Sequence, residues 1–87
     1  MHALVIDVSI NDMPAAQSEL GQLVPRVSSS PGFVAAYWLA LDGAKGTSIA
    51  VFDSEANARG MVPPPGGTGS DAVTIERVEL GEVIASA

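Results

Sequence analysis

The run Pro31-Gly32-Phe33-Val34-Ala35-Ala36-Tyr37-Trp38-Leu39-Ala40-Leu41, then Asp42-Gly43-Ala44-Lys45-Gly46, then Thr47-Ser48-Ile49-Ala50-Val51-Phe52-Asp53-Ser54, decides the fold. Phe33 to Leu41 is free of charge. Its Phe33, Val34, Tyr37 and Trp38 are β-branched or aromatic, the side chains that suit a pleated, half-buried surface. Asp42-Gly43, and then Gly46, supply residues that accept positive φ at little cost. Ile49, Val51 and Phe52 restart the apolar pattern at once. Two such runs joined by a five-residue connection read as a β-hairpin.

Strand side chains alternate between faces. Phe33, Ala35, Tyr37, Leu39 and Leu41 therefore fall on one face of the first hairpin strand, and Val34, Ala36, Trp38 and Ala40 on the other. A sheet with one wet face shows a polar residue at every second position. Neither face does so here. Both faces are expected to be covered, one by helices of the same chain and the other by a partner.

Working outward, His2 to Ile10 reads as a first strand, with His2, Leu4, Ile6, Val8 and Ile10 on one face and Ala3, Val5, Asp7 and Ser9 on the other. Asn11-Asp12 is a turn signal. A helix follows from Pro14 to about Ser28, capped by Asp12 and with Pro14 in the first turn. Met13, Ala16, Leu20, Leu23 and Val27 form its apolar stripe. Pro25 lacks the N–H that would bond the Gly21 carbonyl. A bend between Gly21 and Pro25 is expected, or an end there with one further turn to Ser28. On the far side of the hairpin, Asp53 or Ser54 caps a short second helix with Glu55 in its first turn. It reaches Gly60 or Val62 and stops at Pro63-Pro64-Pro65-Gly66-Gly67. Residues 63 to 71 read as loop, either a plain connection or a lid over a pocket. Ala72 to Leu80 reads as the last strand, with Ala72, Thr74, Glu76, Val78 and Leu80 facing one way and Val73, Ile75, Arg77 and Glu79 the other. Gly81 is a break or bulge. The apolar Val83-Ile84-Ala85 should dock on something, a dimer interface being one option.

The order β-α-β-β-α-β is that of a ferredoxin-like α+β fold, with a four-stranded antiparallel sheet and both helices on one face. Residues 1–87 then form a single domain. Hydrophobic residues make up 47% of the chain and its mean hydropathy is +0.32, high for a domain that buries only roughly 60–65% of its unfolded surface. That excess agrees with a second face hidden by another copy under two-fold symmetry, a homodimer. The chain has no cysteine, so disulfides, thiolate chemistry and cysteine metal sites are excluded. A net charge of −6, with Arg26, Lys45, Arg59 and Arg77 as the only Lys and Arg residues, argues against nucleic acid and against an anionic membrane surface. No signal-peptide pattern opens the sequence, and no apolar run approaches the roughly 18–20 residues of a membrane span. A cytoplasmic protein is the expectation.

Pro31-Gly32-Phe33 opening the second strand, and the third strand running into Phe52-Asp53-Ser54-Glu55-Ala56, give the layout a family likeness. Together with the element order, they resemble the antibiotic-biosynthesis-monooxygenase-like proteins of the dimeric α+β barrel superfamily. The resemblance implies a homodimer whose two sheets pack face to face as a barrel. That superfamily includes cofactor-independent oxygenases of aromatic polyketides, haem-degrading enzymes, isomerases and members without known activity. Haem-degrading members carry an Asn in the first strand, a Trp at the end of the third and a His in the second helix. Here the first strand has no Asn, Phe52 stands in the place of the Trp, and residues 54 to 62 hold no His. An oxygenase would have to work through other residues, such as Tyr37 or Trp38.

The residues themselves leave function open. Tyr37, Trp38 and Phe52 are candidates to line a pocket for a small apolar or aromatic molecule, although aromatic residues more often anchor a core or interface. Asp7, between Ile6 and Val8, must find partners or shift its pKa if buried. An ion pair with Arg77 is the simpler reading and a general base the sharper one. His2 is the only histidine, so no histidine pair forms within a chain and no metal site is read. The serines at 28, 29 and 30 match no nucleophile motif, and the glycines after Pro65 match no phosphate loop. No cofactor is implied. Three readings follow: a ligand-binding dimeric barrel, a non-catalytic interaction module, and a cofactor-independent monooxygenase-like enzyme acting on aromatic polyketide-type substrates.

Overall fold

The computed structural model describes residues 1–62 and 71–87. The lid reading of the loop rests on residues 63–70 and lies outside the described residues. The elements are β1 (His2–Ile10), α1 (Met13–Ser28), β2 (Phe33–Leu41), β3 (Lys45–Phe52), α2 (Glu55–Arg59) and β4 (Val73–Glu82). The four strands form one antiparallel sheet in the order β2-β3-β1-β4. This open α+β arrangement is compatible with the ferredoxin-like plan.

Register shows which side chains share a face. Leu4, Ile6 and Val8 of β1 pair with Ala50, Ser48 and Gly46 of β3, and these pair in turn with Ala36, Trp38 and Ala40 of β2. α1 lies over this face. Its stripe of Met13, Ala16, Leu20, Leu23 and Val27 turns toward the sheet, though only Val27 among them is buried. At the far end of the same face α2 seals the core, where Phe52 and Ala58 are both fully buried. Phe33 meets Phe52 edge to face, with ring centroids 6.2 Å apart.

Two irregularities re-sort residues that strict alternation would misplace. One lies between Phe33 and Ala35: Phe33 pairs with Phe52 and Ala35 with the adjacent Val51, so Val34 is extra. Phe33 therefore joins the helix-side face rather than that of Tyr37. The other lies opposite Asp7 and Val8, which pair with Arg77 and Ile75 and leave Glu76 unpaired. Each bulge inserts one residue and reverses the parity beyond it. Val73 and Ile75 thereby share the helix-side face with Val78 and Leu80, while Thr74, Arg77 and Glu79 take the open face. The break expected at Gly81 is absent; Gly81 pairs with Ala3 inside β4.

The hairpin turn is shorter than the sequence suggests. Leu41 pairs with Lys45, and the positive φ angles fall on Gly43 (75°) and Ala44 (58°). Gly46 is not a turn residue but a buried strand residue. A Cβ there would stand 3.1 Å from Val8 Cγ2 and 3.2 Å from Ile10 Cδ1. Its lack of a side chain serves close packing on the helix side.

α1 begins as expected, with Asp12 Oδ1 accepting a hydrogen bond from the Ala15 N–H at 3.1 Å. It continues through Pro25 to Ser28. Gly21, whose carbonyl loses its usual donor, is exposed to solvent. The Pro25 carbonyl receives the Ser28 and Ser29 hydroxyls at 3.1 and 2.8 Å. Ser54, one of the two candidates, caps α2, its Oγ accepting from the Asn57 N–H at 3.2 Å. Beyond β4 the Val83 N–H donates to the Met1 carbonyl at 2.9 Å, and Ile84 is 93% exposed.

Candidate functional site

The gap between α1 and the sheet is a cavity of about 680 Å³, within the range of about 300–1,000 Å³ typical of small-molecule pockets. Its cause is local. On the helix-side face, β2 and β3 offer Ala36, Ala40, Gly46, Ser48 and Ala50 beneath α1. Such short side chains cannot reach a helix standing at the usual packing distance. Larger side chains bound the space, with Leu4, Ile6 and Val8 of β1 and Trp38 and Phe52 at its walls. α1 forms the roof through Leu20 and Leu23, and Gln22 and Arg26 also border the space.

Of the four pocket candidates in the sequence, Trp38 and Phe52 border this cavity. Tyr37 does not. As the neighbour of Trp38 it points to the open face, where it is 64% exposed. Asp7 is also on the open face, half-buried. Its Oδ1 accepts the Thr47 hydroxyl at 2.8 Å. Arg77 is its register partner, yet the Arg77 guanidinium bonds to Glu79. That hydrogen bond, followed by the Glu79 charge, raises the pKa of Arg77 above its ordinary value; the charge of Asp7 adds least. Near it a polar line crosses the sheet: Lys45 Nζ donates to Ser9 Oγ at 3.0 Å, and Ser9 donates to Glu76.

His2 Nε2 lies 3.9 Å from Glu55 Oε2, outside the cavity. The Arg59 hydrogen bond, then the Arg59 charge, then the His2 charge hold the Glu55 carboxyl below its ordinary pKa. Among the described residues no three His, Cys, Asp or Glu side chains group as a metal site. Among them, too, no helix is long and apolar enough to cross a membrane.

The helical roof was legible in the 3.6-residue stripe, and Trp38 in its aromatic character. The floor was missed, although its signal is present: alternate residues of β3, Gly46, Ser48 and Ala50, are all small. That Arg26 borders the space had no local signal. Compared with known family models, curated proteins and solved structures, the chain matches none.

Proposed function

We propose that this chain is a small-molecule binding domain that holds an apolar or aromatic compound between α1 and the sheet, and that it works as a homodimer. The cavity of about 680 Å³ walled by aliphatic side chains and Trp38 is the observation that supports binding. A ligand seated there would make dispersion contacts with those walls. Burial of the ligand's own apolar surface adds about 25 cal/mol per Å² before the entropic costs of association.

Trp38 is the only tryptophan in the chain, so the emission comes from one side chain that borders the cavity. Titration with the neutral probe N-phenyl-1-naphthylamine should quench Trp38 emission saturably, by energy transfer at a one-to-one ratio. Ala50→Phe should fill the floor and abolish the quenching while circular dichroism stays unchanged. A linear, unsaturable response, or one equal in Ala50→Phe, would count against the reading.

Support for the homodimer comes from the open face. Ala35, Tyr37, Leu39 and Leu41 of β2 stand there beside Ile49 and Val51 of β3 and Val5 of β1. No element among the described residues packs over them, and Leu39 and Leu41 are 47% and 50% exposed. A second copy related by a two-fold axis would lay like on like across such a surface.

A further inference from the structure

We propose that the cavity selects an amphipathic anion, a flat apolar body carrying one carboxylate that Arg26 holds at the rim. This deepens the ligand-binding reading and rests on it. Three of the four Lys and Arg side chains are engaged: Lys45 with Ser9, Arg59 with Glu55 and Arg77 with Glu79. Among the described residues the Arg26 side chain has neither a hydrogen bond nor an ion pair, and Arg26 borders the cavity.

The interior sorts the two halves of such a ligand. Its aliphatic walls accept an uncharged body, and Trp38 offers a flat face for a ring. A carboxylate cannot follow it inward without a partner. At the rim, the exposed Arg26 presents a planar fork of donors whose geometry fits a carboxylate in bidentate fashion. Glu19 also borders the cavity. It lies seven residues earlier on α1, two turns or about 10 Å along the axis, and is itself engaged in an interaction. Its charge repels an anion from that end and directs the carboxylate toward Arg26. Arg26 also sits in the last turn of α1, where a cation favours the exposed carbonyls. That role needs only its charge and leaves its N–H donors free.

The test compares 2-naphthoate with 2-naphthamide, which share a ring system and differ in charge, by calorimetric titration at neutral pH. Naphthoate should bind roughly three- to tenfold more tightly. The difference should shrink at about 0.5 M salt. Arg26→Gln should erase the preference, weakening naphthoate more than naphthamide. Equal affinities in the wild-type chain, or a preference that survives Arg26→Gln, would overturn this inference and leave the binding reading standing. Saturable binding of neither compound would overturn the binding reading, and the inference with it. The wild-type comparison decides even if Arg26→Gln fails to fold.

Discussion

At the scale of single residues, two backbone positions test the turns directly. Gly32 has φ +73°, and a Cβ on it would stand 2.3 Å from Asp53 Oδ1 and 2.4 Å from Asn57 Nδ2. Those two atoms are hydrogen-bonded to each other at 2.8 Å, and the Gly32 carbonyl accepts the Asp53 N–H at 2.8 Å. Gly32→Ala must strain the backbone at this left-handed φ and push the Asp53 and Asn57 side chains aside. It should lower stability by about 1–3 kcal/mol in urea unfolding. Ala44 is the converse, a non-glycine at φ 58° that costs about 1 kcal/mol through its Cβ. Ala44→Gly should raise stability by about 0.5 kcal/mol once the extra freedom of the unfolded chain is counted. A loss of stability would mean the turn takes another form. The sequence marks Gly32 as a loop glycine but gives no sign that Ala44, rather than Gly46, takes the left-handed position. Turn length is settled by which residues pair across the hairpin, and that depends on both strands.

At the scale of elements, α1 is stable in spite of Pro25. Replacing an interior proline restores one backbone hydrogen bond and removes a steric clash, an effect of up to about 3 kcal/mol, offset by about 0.4–1 kcal/mol from the freer unfolded chain. Pro25→Ala should therefore raise the urea midpoint by the equivalent of about 1–2 kcal/mol. No gain would show that the exposed Gly21 carbonyl is already satisfied by solvent. α2, only five residues long, relies on its ends. The Glu55 carboxyl is held below its ordinary pKa in the folded chain, chiefly by Arg59. Its contribution is therefore fully present above the ordinary value and is lost as pH falls through the lower, folded value. Glu55→Gln should melt below the wild-type chain at neutral pH and together with it in strong acid, as followed by thermal scans. A gap that persists in acid would assign the effect to packing. These helices were largely readable in advance, because an apolar stripe, a cap and a proline are each properties of a few consecutive residues.

At the scale of the whole molecule, the sheet has one face under helices and one face open. If the open face is the homodimer interface, light scattering on a sizing column should give about twice the chain mass of 8.8 kDa. Leu39→Lys, at an exposed site on that face, should return the mass to a single chain, because a like-charged pair cannot be desolvated at a two-fold interface. A monomer in the wild-type chain would remove the dimer from the proposed function without touching the cavity. The order of elements, the amphipathic helix and the two apolar faces of the hairpin were determined by the sequence alone, since each follows from a local period of 2 or 3.6 residues. Only the tertiary structure decided which face of the hairpin lies under α1, so that Trp38 and not Tyr37 borders the cavity, that a bulge at Glu76 brings Val73 and Ile75 under the helices, and that Arg26 stands at a cavity rim. The physical reason is that a cavity is made by small side chains from separate strands meeting in register beneath a helix. Register, reset by each bulge, belongs to the sheet rather than to any one stretch of the chain.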